Sequence, residues 1–340
     1  MKPFNQTRSH PITHYKINTI SSVYTYFNQF LIPDPVKEIE KYEIKYGDIE
    51  KYRIISPIGC GKYSLVFVGQ SDKGLCAIKV LKEVSYDKVK REFFILNRIR
   101  SLTPNVLQYR DAIVDSLTRT LSIVTDYVQF DSPDKLYPSF TIEDVRYYMF
   151  LLLHTLDRCH SVGVMHRDIK PGNVLIHHKQ QKLTLIDWGL SELYYPYKQY
   201  TVRVSTMRYK APELLIGYHF YDYGIDVWSA GCVMAEMLFE IGFITGTNYI
   251  EVLQSIGNIF GKDQILQYID KLGVELTDCY INAINNCEER GFEKRIALMK
   301  PYMRNADALD LLQKLMCIDH TERITARDAL RHPFFASLIS

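Results

Sequence analysis

Between residues 52 and 70, apolar and polar residues alternate around Gly59, Gly61 and Ser64. That pattern predicts two strands joined by a glycine-containing turn. Residues 75–81 read as a further strand, which carries Lys79. Over residues 87–100 the period changes, and Val89, Phe93, Leu96 and Ile99 form one stripe at helical spacing. Glu92 falls inside that stripe. An inward-facing carboxylate is costly unless paired, so an internal cation is expected beside it, with Lys79 the candidate. Residues 105–128 hold two more apolar strands. The chain up to Val128 therefore predicts a small, mostly β lobe with one helix. Residues 131–140 are polar, with Pro133 and Pro138. From Thr141 helical spacing dominates. Thr141-Ile142-Glu143-Asp144 has capping-box form, residues 226–239 form a strongly apolar helix, 249–300 several shorter ones and 306–335 two more. The fold class is α+β and bilobal. Residues 52–128 make a β-rich N-lobe with one main helix, 129–340 make a larger, mostly α-helical C-lobe, and the linker lies near 126–131. Ahead of this, residues 1–20 are polar and read as loose. Residues 23–32 are rich in Tyr and Phe and are expected to lie along the body.

One stretch concentrates chemistry: His166-Arg167-Asp168-Ile169-Lys170-Pro171-Gly172-Asn173. Pro171 and Gly172 keep it from being plain helix. Apolar residues 147–153 precede it. Residues 174–176 and 183–186 follow as two short strands around polar 177–182, and they deliver Asp187-Trp188-Gly189. A rigid hairpin can thus bring Asp168, Asn173 and Asp187 together. Two carboxylates and an amide at one edge suit a Mg²⁺–phosphate site, because Mg²⁺ takes oxygen ligands. Gly59-Cys60-Gly61-Lys62-Tyr63-Ser64 lies between two strands, where glycines let backbone approach phosphates. Alone it reads better as a plain hairpin turn, since Ser64 stands in the place of a third glycine.

Composition excludes more than it selects. The chain has 340 residues, of which 47% are apolar, enough for a sizeable core. A formal charge of +2 makes no general case for nucleic acid or an anionic membrane. Basic residues are scattered, with no aromatic platform for nucleic acid. The seven cysteines (60, 76, 159, 232, 279, 287, 317) include no CxxC pair, which fits a reducing compartment. No signal-like apolar core follows Met1 and no apolar run is long enough to span a bilayer. A soluble protein of cytoplasm and nucleus, without membrane partners, is expected.

In order along the chain, the glycine loop, Ala77-Ile78-Lys79, Glu92, His166-Arg167-Asp168 with Asn173, Asp187-Trp188-Gly189 and Ala211-Pro212-Glu213 resemble the eukaryotic protein kinases over residues 52–335. Asp187-Trp188-Gly189-Leu190, Tyr200-Thr201-Val202-Arg203-Val204, Tyr221-Asp222-Tyr223, Tyr268-Ile269-Asp270-Lys271 and Val23-Tyr24-Thr25 make the chain most similar to the catalytic α subunits of casein kinase II. The resemblance implies transfer of the γ-phosphoryl group of ATP, with Mg²⁺, to Ser or Thr of proteins carrying acidic residues after the acceptor. It implies that Lys79, held by Glu92, grips the α- and β-phosphates, and that Asp187 and Asn173 bind metal. Asp168 would orient the hydroxyl and accept its proton, and Lys170 would meet the γ-phosphate. Ile58, Gly59, Cys60, Gly61, Lys62, Tyr63, Ser64, Val66, Ala77, Lys79, Glu92, Asp126, Val128 and Leu175 would form the nucleotide site. Arg203 and Lys210 would contact substrate. Asp226 should hold the backbone of the Arg167 turn, and Glu213 should pair with Arg323.

Such subunits act without loop phosphorylation because their N-terminal segment packs on the loop; here Tyr24 and the aromatics near it are expected to do this, within an N-terminal segment, residues 1–51, that packs on the kinase body. They assemble with a regulatory β subunit into a tetrameric holoenzyme. The matching docking positions are Ile54, Phe67, Ile78, Ile113 and Val124; strand alternation leaves open which are core. Several positions depart from the resemblance. The lysine run is reduced to Lys88, Lys90 and Arg91, and Met207 replaces an arginine, with Arg208 one place later. Each lost exposed contact is worth ~0.2–1 kcal/mol, so a blunted acidic preference is expected. Ala77, Leu175 and Thr125 replace bulkier residues and favour ATP over GTP. Gly172 replaces a histidine. The rival readings are a catalytically silent scaffold, against which the full set Lys79, Glu92, Asp168, Asn173 and Asp187 speaks, and a kinase of the cyclin-dependent or splicing type, toward which Ala211 and Arg208-Tyr209-Lys210 lean.

Overall fold

The computed structural model describes residues 20–31, 33–61, 64–82, 85–239, 242–288 and 291–339. Lys62 and Tyr63 of the glycine loop, and residues 1–19, lie outside them. A short helix α1 (Pro35–Lys41) is capped by Asp34, whose carboxylate accepts from the Val36 amide. The five strands β1 (Arg53–Cys60), β2 (Ser64–Ser71), β3 (Gly74–Leu81), β4 (Tyr109–Val114) and β5 (Leu121–Asp126) form one antiparallel sheet in the order β1-β2-β3-β5-β4. Helix α2 (Tyr86–Ile99) buries Val89, Phe93, Leu96 and Ile99, the predicted stripe, and Glu92 with them.

The sheet has apolar residues on both faces. Cys76, Ile78, Ile113 and Val124 cluster on one face, with Tyr52 and Val80 packed against them. The Tyr52 hydroxyl donates to Asp111, which fixes the ring there. Of the five positions considered for docking, Ile78, Ile113 and Val124 are therefore core, whereas Ile54 is exposed.

Beyond the linker come α3 (Pro133–Leu136), a 3₁₀ turn Tyr137–Ser139, and α4 (Ile142–His160). The α4 capping box is complete: the Thr141 amide donates to Asp144 and the Asp144 amide donates back to the Thr141 hydroxyl. Then follow β6 (Val164–Met165), β7 (Val174–His177), β8 (Lys182–Leu185), β9 (Glu192–Leu193), α5 (Pro212–Leu215) and α6 (Gly224–Phe239). Strands β7 and β8 form the predicted hairpin, and β6 pairs with β9. Helix α6 is apolar on all sides and buried nearly throughout. Gly231 lets it approach the neighbouring helix end, since a Cβ there would meet Met316 at 2.6 Å. Shorter helices from Tyr249 to Ile339 complete the lobe. Among the described residues no helix is long and apolar enough to cross a membrane.

The segment before the sheet is tied to the body by specific bonds. The Ser21 amide donates to the Tyr194 hydroxyl, and the Tyr24 hydroxyl donates to Asp157. The buried Asn28 side chain donates to the carbonyls of Gly163 and Tyr194 and accepts from Arg98 of α2.

Candidate active site

A cleft of about 370 Å³ lies between the lobes. Of the residues expected to bind nucleotide, Ile58, Gly59, Cys60, Gly61, Ser64, Val66, Ala77, Lys79, Glu92, Asp126, Val128 and Leu175 line it. Asn173, Asp187 and Gly172 line it as well. Sequence reasoning missed Leu96, Leu107, Ile123, Tyr127, Phe130, Ile186 and Trp188. They are ordinary apolar or hinge positions, and only tertiary packing turns them to the cleft. Thr125 also lines it, as expected of its register opposite Ala77.

Strand β3 places Lys79 between Val66 of β2 and Ile123 of β5. Its ammonium donates to Glu92 at 2.9 Å and to Asp187 at 2.8 Å. Glu92 thus has the internal cation that its inward position demanded. Burial pulls the Lys79 pKa down, but Glu92 and then Asp187 outweigh it and hold the ammonium above lysine's ordinary value. Burial pushes the Asp187 carboxyl up, and Lys79 more than reverses this. Gly189 leaves room for the trio, because a Cβ there would stand 3.2 Å from Glu92 Oε2.

The Asp168 loop is braced from below. Arg167 and Asp187 both take positive φ, 69° and 61°. Such backbone is strained for non-glycine residues and persists where neighbours over-determine it. At Arg167 the bracing is visible: the amides of His166 and Arg167 donate to the two oxygens of buried Asp226, at 2.8 and 2.7 Å. His160 bonds the same carboxylate, and this bond chiefly overcomes burial to hold Asp226 below the usual carboxylate range. The Arg167 guanidinium is itself committed, donating to the Leu190 carbonyl and the Tyr221 hydroxyl. Glu213 and Arg323 form a fully buried pair at 2.7 and 3.0 Å, as expected.

Asp168 collects four groups. Lys170 Nζ donates to its Oδ2 at 2.7 Å, and Asn173 Nδ2 donates to its backbone carbonyl at 2.8 Å. The amide and hydroxyl of Thr206 both donate to Oδ1 at 2.9 Å. Lys170 Nζ also donates to Thr206 Oγ1 at 2.9 Å. The amide nitrogen of Asn173 is thereby spent, so its Oδ1 is the atom left for a cation. Asp187, with Oδ1 on Lys79, likewise keeps Oδ2. Oxygens from Asn173 and Asp187 beside a phosphate-sized cleft fit a hard divalent ion.

The two expected substrate contacts separate. Arg203 is exposed, whereas Lys210 is buried and turns its ammonium onto the carbonyls of Val202 and Val204. The family model for the protein kinase domain matches residues 52–335, most of the chain. With the ion-paired lysine, the braced aspartate and the cleft already in place, this match makes the chain a member of the protein kinase family, a phosphotransferase that uses ATP and a divalent metal.

Proposed function

We propose that the protein is a Ser/Thr kinase of casein kinase II α type, using Mg²⁺ as its metal and acting without loop phosphorylation. The observation that supports the Ser/Thr reading is Lys170, which donates to both Asp168 and Thr206 and which, by the resemblance, would meet the γ-phosphate. In this reading Asp168 Oδ accepts the acceptor hydroxyl's proton as the oxygen bonds the γ-phosphorus and the bond from that phosphorus to the β-phosphate oxygen breaks, with ADP as the leaving group. Lys170 then faces the charge that develops on the transferred group. Lys79 fixes the remaining phosphates, and Asn173 Oδ1 with Asp187 Oδ2 would hold the ion. When bound, Mg²⁺ neutralises phosphate charge, so catalysis is mainly positioning and electrostatics.

Two observations support activity in the unmodified chain. Arg167 already has neutral partners, so it needs no phosphate to hold it. Helix α2 is held in place by Arg98 on Asn28 and by Arg91 on Glu192 at 2.9 Å. Removing residues 1–35 should lower kcat; unchanged activity would sink this part of the proposal.

Acidic preference would rest on exposed Lys88 and Arg203, because Lys90 donates to the Glu40 carbonyl, Arg91 pairs with Glu192, and Lys210 is buried. A modest gain is expected. The test is an oriented peptide library phosphorylated with ATP and, in parallel, GTP. Expected are Ser/Thr transfer, a preference for Asp or Glu after the acceptor, faster turnover with ATP, and loss of all turnover in Asp187→Ala. Tyr-only transfer, or turnover surviving Asp187→Ala, would refute the reading.

A further inference from the structure

The segment before the sheet carries one tyrosine whose surroundings exceed what anchoring needs. Tyr24 is half-buried, and its backbone takes a positive φ of 50°, which is strained for a residue with a side chain. Its hydroxyl donates to Asp157 of α4 at 2.7 Å. Two guanidiniums flank the same phenol. Arg327 lies on the short helix Ala326–Ala329, which packs on α4, and its guanidinium stands 6.0 Å from the Tyr24 ring centroid. Arg158 follows Asp157 on α4 and is exposed. Burial first, and then the bond to Asp157, push the Tyr24 hydroxyl up to about 12; Arg327 and Arg158 pull it back, so both charges reach it.

Both arginines are uncommitted, although their neighbours are not. Arg146 of α4 pairs with Glu143, and Arg331 pairs with Asp328. Among the described residues, neither Arg158 nor Arg327 has a side-chain hydrogen bond or a carboxylate within 4.0 Å. Two cations and one carboxylate around a neutral phenol leave this corner one positive charge in excess. A hydroxyl satisfies the carboxylate and gives the guanidiniums nothing. A phosphate does the reverse. It brings roughly two negative charges and three acceptor oxygens, repels Asp157 and suits two guanidiniums. Tyr26 and Tyr197 are more exposed, at 41% and 50%, yet among the described residues no cation stands over either ring.

We propose that Tyr24 is a phosphorylation site whose phosphate is received by Arg158 and Arg327, locking the N-terminal strap onto the C-lobe. The co-reactant is ATP, brought by a separate tyrosine kinase. The Tyr24 oxygen bonds the γ-phosphorus and the bond from that phosphorus to the β-phosphate oxygen breaks. ADP leaves, and the phenolic proton passes to the base of the modifying enzyme. For this the turn around Tyr24 must swing out. Two of the bonds that hold it, to Asp157 and from the Tyr223 hydroxyl, are made by Tyr24 itself. The lock is separate from loop phosphorylation, which the proposed function does without.

The experiment compares the full chain carrying phosphotyrosine at position 24, installed during translation, with the unmodified chain. Hydrogen exchange is read on the peptide covering residues 20–31. Exchange in the phosphorylated chain should slow about tenfold, the equivalent of one charge-assisted hydrogen bond gained net. The slowing should vanish when Arg158→Gln and Arg327→Gln are combined. Unchanged or faster exchange overturns the proposal, because repulsion from Asp157 then matches or outweighs the arginines. Slowing that persists in the double variant overturns it too, as does a modified chain that circular dichroism shows to be unfolded. Access is tested separately with ATP and a broad-specificity tyrosine kinase. The substrate is the full chain bearing Asp187→Ala, which keeps its own turnover out of the result. Mass spectrometry that finds phosphate on Tyr24 supports the site; phosphate absent from Tyr24 overturns it.

Discussion

At the scale of single residues, the strongest expectation concerns Asp168. Its carboxylate is held by Lys170, Thr206 and the Asn173 amide, so an amide in its place keeps the shape and loses the base. Asp168→Asn should lower kcat by roughly 10²–10⁴, the span of general acid–base contributions, with little change in KM for ATP. Steady-state kinetics on one peptide decides it. Lys210 supplies a pH-dependent prediction. Burial lowers its pKa to about 8, with Asp168 opposing weakly. Between that value and lysine's ordinary 10.5, the unfolded chain binds a proton that the folded chain has released. Stability from this group therefore rises with pH across that window and is flat below it. Denaturant midpoints of wild type minus Lys210→Met should climb from pH 8 toward 10; a flat difference refutes the assignment. Such residues also mark what sequence can disclose. The Lys79–Glu92 pair was legible because a carboxylate in an apolar stripe demands a partner. The burial of Lys210 was not, because it depends on how the loop after Thr206 folds back on itself, with the Lys210 ammonium turned onto Val202 and Val204.

At the scale of elements, periodicity located all five strands of the sheet and helices α2, α4 and α6, where runs are long and one face is apolar. It could not find β6 and β9, which are two residues each and exist only by pairing with one another. Nor could it assign the faces of the sheet, since apolar residues occupy both. The Glu213–Arg323 pair joins the start of α5 to the end of the chain at zero side-chain exposure. Arg323→Ala strands a buried carboxylate and should cost roughly 3–5 kcal/mol in denaturant unfolding; a cost below about 1 kcal/mol would place this pair among exposed ones. Asn28→Ala tests how α2 is held. It removes the acceptor of Arg98 and two donors to the C-lobe. Lower kcat with unaltered far-ultraviolet circular dichroism is expected, and unchanged kcat would show that Arg91–Glu192 suffices.

At the scale of the whole molecule, the two-lobed plan follows from a change of period near Val128, and the cleft follows from the plan. A nucleotide that touches both lobes should stabilise the whole chain. At a hundred times its Kd, ATP with Mg²⁺ should add about 2.7 kcal/mol, read as a raised Tm, and Lys79→Met should shrink that gain at the same concentration. The N-terminal strap has a consequence for how this chain is made. Its residues leave the ribosome before the body they dock on: Ser21 bonds Tyr194, 173 residues later, and Tyr24 bonds Tyr223, 199 residues later. At the usual pace of translation that is a wait of roughly ten to forty seconds. Through that interval Tyr24 and Phe27 have no surface to cover them, whereas Tyr26 and Phe30 stay exposed even in the folded chain. The nascent chain thus presents an aromatic segment to chaperones long before its docking site has been synthesised, and the segment cannot settle fully until Tyr223 has been made.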